Sequence, residues 1–113
     1  MRAARILRTA LGPAITEFSE DPAIVEVMLN PDGRLWIDRL SSGLTDTGKN
    51  ISASDGERIA RVVAHYVGAE VHPGSPRISA SELPETGERF EGLLPPVVAA
   101  PTFAIRKPAV ATR

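Results

Sequence analysis

Val25-Glu26-Val27-Met28-Leu29-Asn30-Pro31-Asp32-Gly33-Arg34-Leu35-Trp36-Ile37-Asp38 is the stretch that decides the fold. Val25, Val27 and Leu29 alternate with Glu26 and Met28, the two-residue period of a strand with one face toward a core. Asn30-Pro31-Asp32-Gly33 is a turn with a mechanism. Asn and Asp bond their own backbone, Pro presets φ and Gly accepts a positive φ. Arg34 to Asp38 then alternates again, with Leu35 and Ile37 on one face and Trp36 on the other. Two alternating runs across a turn make a hairpin, and Leu44 to Thr47 is predicted to add a short third strand.

Upstream, residues 2 to 19 read as helix. Leu7, Leu11, Ala14, Ile15 and Phe18 form one apolar stripe, with Arg2, Arg5 and Arg8 off it. Gly12-Pro13 interrupts the pattern, because proline lacks the amide donor and clashes with the preceding turn. The expectation is a kink, or two short helices with Pro13 opening the second. Downstream, Ser54 with Glu57 reads as a capping box. Ile59, Val62, Val63, Tyr66 and Val67 give a second helix its apolar face, and Gly68 is its natural terminator. Arg77 to Glu82, Glu88 to Leu94 and Thr102 to Lys107 alternate as strands. Pro84 to Gly87 reads as a turn, and Pro95-Pro96 as a stop. The order helix, three strands, helix, three strands predicts an α+β fold, one antiparallel sheet with helices on a face. Residues 109–113 carry no core pattern and are expected to fray.

Composition narrows the function. The 113 residues suit one domain. Lysine and arginine total 13 against 14 acids, a formal charge of −1, so the basic excess of a dedicated nucleic-acid module is missing. The sequence has no cysteine, which excludes disulfides and thiolate metal sites. No apolar run approaches the roughly 20 residues that span a bilayer.

Several patterns suggest chemistry and fail on context. Gly43-Leu44-Thr45-Asp46-Thr47-Gly48-Lys49-Asn50 nearly spells a P-loop. That motif needs a hydroxyl last, where Asn50 stands, and a helix opening at its lysine. His65 and His72 lack a second ligand at helical spacing, so zinc has no support. Glu82, Glu85, Glu88 and Glu91 recur every third residue, but Pro84 and Gly87 forbid a regular helix, and a solvated hairpin rim is expected. No serine has the histidine and acid arrangement of a nucleophile.

Arg89 in Gly87-Glu88-Arg89-Phe90-Glu91-Gly92 and Arg106 in Phe103-Ala104-Ile105-Arg106-Lys107-Pro108 each stand on a short strand beside an apolar partner. On neighbouring strands the two guanidinium groups would face one anion, and bidentate arginine suits phosphate. The competing reading is a pair of exposed strand arginines bonded to Glu88 or Glu91.

Glu82-Leu83-Pro84-Glu85-Thr86-Gly87-Glu88-Arg89-Phe90-Glu91-Gly92-Leu93-Leu94-Pro95-Pro96 and Phe103 to Pro108, together with the hairpin at Val27 to Trp36, resemble the amino-terminal domain of TrbB-type conjugal transfer ATPases, in the family of hexameric type IV secretion traffic ATPases. The resemblance runs from about Leu7 to Pro108. It implies a PAS-like sheet at residues 1–108 and a partner RecA-like ATPase domain absent from this chain. It also implies six copies in stacked rings, other secretion components as partners, a cytoplasmic place at the inner membrane, and no direct nucleic-acid contact. ATP would lie between the two domains, with magnesium held by the RecA-like one. Arg89 and Arg106, and with less support from the motif Lys107, would reach its phosphates. The P-loop, the magnesium-binding acidic motif and the family's histidine motif are missing here, so this chain alone is expected not to hydrolyse ATP. Two other functions stay open. One is a free-standing PAS-like sensor or adaptor, for which 4% aromatic residues give a ligand pocket little lining. The other is contact of Arg2, Arg5 and Arg8 with anionic lipid.

Overall fold

A proline at the first helical position gives up an amide that has no partner there anyway, and this chain splits its first helix on that point. The computed structural model describes residues 2–69, 74–80, 83, 87–96 and 98–108. Helix α1 spans Arg2–Leu11 and α2 spans Pro13–Glu20. Gly12 between them has φ 89°, a conformation that glycine adopts without a Cβ penalty. The Thr16 hydroxyl donates to the Arg8 carbonyl at 3.1 Å, and Arg8 meets Glu20 across the elbow at 3.1 Å. The apolar stripe of α1 faces inward: Leu7 is buried, and Leu11 packs against the core. Its hydrophobic side is therefore spent on the protein's own interior. No helix among the described residues is long and apolar enough to cross a membrane.

The hairpin forms as β1 (Ile24–Leu29) and β2 (Arg34–Arg39). The Gly33 amide donates to the Asn30 carbonyl at 2.9 Å, and the Arg34 amide donates to the Asp32 carboxylate at 2.9 Å. The third strand, β3, is longer than its predicted core and runs Gly43–Asn50. Pairing with β2 from Arg39↔Gly43 to Arg34↔Asn50 accounts for the extra length, and the Thr47 hydroxyl donates to the Leu35 carbonyl at 2.7 Å. The P-loop-like octet is thus an edge strand paired with β2, and the Gly48 and Lys49 amides donate to the side chains of Asp46 and Thr47 at 2.9 and 3.1 Å.

Helix α3 spans Ala53–Val67, and its cap departs from the expected one. Ser52, two residues before Ser54, is the N-cap, and its hydroxyl accepts from the Asp55 amide at 3.1 Å. The pairing of Asn50 with Arg34 carries β3 close to the helix, so the chain enters α3 earlier. Gly68 ends the helix in the left-handed region at φ 75°, as its position implied.

Strands β4 (Arg77–Ala80), β5 (Arg89–Leu93) and β6 (Thr102–Arg106) complete one sheet in the order β3-β2-β1-β6-β5-β4. Every pairing is antiparallel. Val27, Leu29, Leu35, Ile37, Ile78, Phe90, Phe103 and Ile105 pack from the sheet against Ile15, Ile59, Ala60 and Val63 of the helices. The predicted α+β fold, with helices on one face, is the fold observed. Most of the predicted turn at Pro84 to Gly87 lies outside the described residues, as do Glu82, Glu85 and His72.

Candidate functional site

Alternation decides what the open side of the sheet presents. On β5, Phe90 and Gly92 are buried while Arg89, Glu91 and Leu93 point away from the helices. On β6, Phe103 and Ile105 are buried, leaving Thr102, Ala104 and Arg106 outward. Phe90 and Phe103 stack beneath, with ring centroids 5.4 Å apart, which makes the backbone under Arg89 and Arg106 part of the packed core.

Register then brings the two arginines together. Arg89 lies directly opposite Arg106 across β5 and β6. Opposed residues on antiparallel strands have Cα atoms about 4.5–5.5 Å apart, well within the reach of two guanidinium arms. Both side chains are exposed, at 62% and 65%. Beside them Ala104, opposite Glu91, forms the small-residue floor of a shallow concavity that Glu26 closes on the β1 side.

Acids flank the pair. Arg106 lies opposite Glu26 of β1, with Nη1 3.5 Å from Oε1. Arg89 Nε is 3.7 Å from Glu91 Oε2. Glu91 also accepts from the Ser79 hydroxyl at 2.9 Å and meets Arg77 at 3.4 Å. The Ser79 hydroxyl is the main reason its carboxyl sits below the ordinary value; burial opposes this, and Arg77 and Arg89 add to it. The competing sequence reading named Glu88 or Glu91 as partners. Glu91 does partner Arg89, whereas Glu88 lies toward the helices, in the lining that includes Leu7 and Ser19.

The structure does not bring Lys107 to this pair. The Lys107 ammonium donates to the carbonyl of Asp21, just beyond α2, on the helical side, and its backbone amide bonds Val25 of β1 at 2.9 Å. Burial lowers its pKa, while Asp21 and Glu88 pull it back up. Glu26, Ser79 and Arg77 were not singled out from the sequence. Each occupies an outward position in an alternating run, but only the β1–β6 and β4–β5 registers place them beside the arginines.

The other candidates stand apart. His65 is exposed on α3, its ring edge-on to Tyr66 at 4.9 Å. Among the described residues no three His, Cys, Asp or Glu side chains are grouped to hold a metal ion. A sensor needs a pocket between helices and sheet. Among the described residues the space lined by Leu7, Leu11, Ser19, Leu83 and Ile105 is ≈ 70 Å³, whereas small-molecule sites measure roughly 300–1,000 Å³.

No family model matches the chain. It is 48% identical over 106 residues to "Probable conjugal transfer protein TrbB" of Sinorhizobium fredii, covering 94% of this chain and 32% of that protein. It is 44% identical to "Conjugal transfer protein TrbB" of Rhizobium radiobacter, with the same coverage. The fold matches a crystal structure of the VirB11 ATPase from the Brucella suis type IV secretion system in complex with sulphate. The TM-score is 0.78 and the identity 27%, over 99% of this chain and 33% of that one. The chain therefore spans about a third of the length of the relatives it matches and resembles that part of TrbB-type proteins along nearly its whole extent.

Proposed function

We propose that this chain is the amino-terminal, nucleotide-contacting and assembly domain of a conjugation or type IV secretion ATPase. A separate RecA-like domain binds ATP and magnesium, and this domain offers Arg89 and Arg106 to the phosphates from its open sheet face. The observation that carries the reading is the direct opposition of Arg89 and Arg106, both exposed, on the face left free by the helices. Two guanidinium groups near the transferring phosphoryl stabilise the charge that spreads over its oxygens. They supply neither a nucleophile nor a base, so the chain by itself does not turn ATP over. Movement of the domain against the ATPase half then couples hydrolysis to transfer of DNA or protein, within a hexamer at the cytoplasmic side of the inner membrane. The homology to TrbB and the fold of a secretion ATPase support this assignment. Lys107 is left out of the phosphate contacts, because its ammonium is committed to Asp21.

The test is turnover in a longer protein that carries the P-loop domain. Arg89→Ala and Arg106→Ala each lower kcat, by roughly the 10³-fold or more lost when a phosphate-contacting arginine is removed, with the thermal midpoint held. Wild-type turnover in both variants rules the arginine role out.

A further inference from the structure

The ion pairs on the open face fall into two classes. Arg34 Nη1 and Asp46 Oδ2 are 2.8 Å apart, a full charge-assisted hydrogen bond. The contacts that restrain the facing arginines are long, at 3.7 Å for Arg89–Glu91 and 3.5 Å for Arg106–Glu26, at or past the limit of a hydrogen bond. A guanidinium presents five N–H donors in a planar fork, and one contact of that length leaves most of the fork unfilled.

Glu91 is anchored away from the facing arginines, and Glu26 is held low against the sheet. Glu91 is drawn toward β4 by the Ser79 hydroxyl at 2.9 Å and by Arg77 at 3.4 Å. Glu26 extends from β1, its side chain only 20% exposed while Arg106 is 65% exposed. Glu26 thus lies beside Arg106 on the β1 side and Glu91 lies one row along β5 from Arg89, and the acids cancel much of the pair's charge without closing on it. Without them, two opposed guanidinium groups would repel each other across the ladder.

We propose that Glu26 and Glu91 are resident counter-ions of a phosphate site, holding Arg106 and Arg89 in place until a polyphosphate takes both guanidinium groups. Ser79 is the positioning residue, because it keeps Glu91 leaning toward β4. The proposal rests on the phosphate reading above and adds its control. Affinity for an anion is set by competition between the incoming phosphate and two built-in carboxylates, as well as by the arginines. Phosphate wins because it offers bidentate, shorter contacts to both guanidinium groups and a polyphosphate carries more charge than the two carboxylates it replaces.

Titration calorimetry of inorganic tripolyphosphate into the 113-residue chain at low salt tests this, with circular dichroism confirming that each variant folds. Glu91→Gln and Glu26→Gln keep the shape and remove the charge. Each is expected to tighten binding about threefold, and the double variant about tenfold, the scale of exposed charge pairs. Adding Arg89→Ala or Arg106→Ala to the double variant is expected to abolish the gain. Ser79→Ala acts in the opposite direction: it frees Glu91 to close on Arg89 and weakens binding about twofold. Suppose the Gln variants bind no more tightly than wild type, while binding is still lost with the arginines. The counter-ion proposal then falls and the phosphate reading stands. Absence of binding in every variant, the double Gln variant included, overturns both.

Discussion

Ser79 on β4 donates a 2.9 Å hydrogen bond to Oε2 of Glu91 on β5, directly across the ladder that pairs the two residues. Glu91 therefore faces two ways, toward Ser79 and Arg77 on one side and Arg89 on the other. The hydroxyl settles which way the carboxylate leans.

This arrangement has a pH signature. The Glu91 carboxyl is held below its ordinary value of 4.5, first by Ser79, then by the arginines, with burial opposing. A carboxyl depressed in the folded state contributes stability above its unfolded value and loses it as pH falls through the folded one. The thermal midpoint should drop as pH is lowered below the ordinary carboxyl value of 4.5. Glu91→Gln should make that drop shallower. Acid titrations of wild type and variant that superimpose would show that Glu91 contributes nothing there.

The helix cap distinguishes two neighbouring serines. Ser52 satisfies the Asp55 amide at the start of α3, whereas the Ser54 hydroxyl lies 3.4 Å from that of Ser52 and is exposed. Ser52→Ala should cost about 1 kcal/mol. Ser54→Ala should fall within about 0.5 kcal/mol of wild type. Urea denaturation reads both, and equal losses would contradict the cap assignment.

Phe90 is fully buried and stacks on Phe103 beneath the facing arginines. Phe90→Ala should cost about 3–5 kcal/mol, a large fraction of the 5–15 kcal/mol that holds a typical domain together. The expected result is a chain that is largely unfolded at 37 °C by circular dichroism. A cooperative transition near the wild-type midpoint would mean that the sheet core tolerates the cavity.

Lys107 offers a contrast with the arginines. Its ammonium bonds the Asp21 carbonyl on the helical side, so Lys107→Ala should leave tripolyphosphate affinity unchanged. Stability should fall by about 1 kcal/mol or less, because the lost hydrogen bond is partly offset by relief of a half-buried charge. A marked loss of anion binding with stability intact would restore Lys107 to the phosphate contacts.

What the sequence determined by itself is local. Asn30-Pro31-Asp32-Gly33 names its own turn because its φ preferences and side-chain bonds act within four residues. Gly12-Pro13 splits the first helix and Gly68 ends α3 for the same reason. Alternation in β2, β5 and β6 marks which side chains face the core, since a strand's period is set by its backbone; in β1 it holds for Val27 and Leu29, but a register shift between Ile24 and Glu26 buries Ile24 in place of Val25. Ser52 escaped notice because Ser54 with Glu57 forms an equally good local pattern, and only the end of β3 shows where the helix can begin. Tertiary structure alone decided the sheet order. It set β1 beside β6, so that Glu26 meets Arg106 across 80 residues of chain, and it set Ser79 beside Glu91. Such neighbours follow from how whole strands dock to bury Val27, Phe90 and Ile105 together. That is a cooperative choice of register with no signature in any single segment.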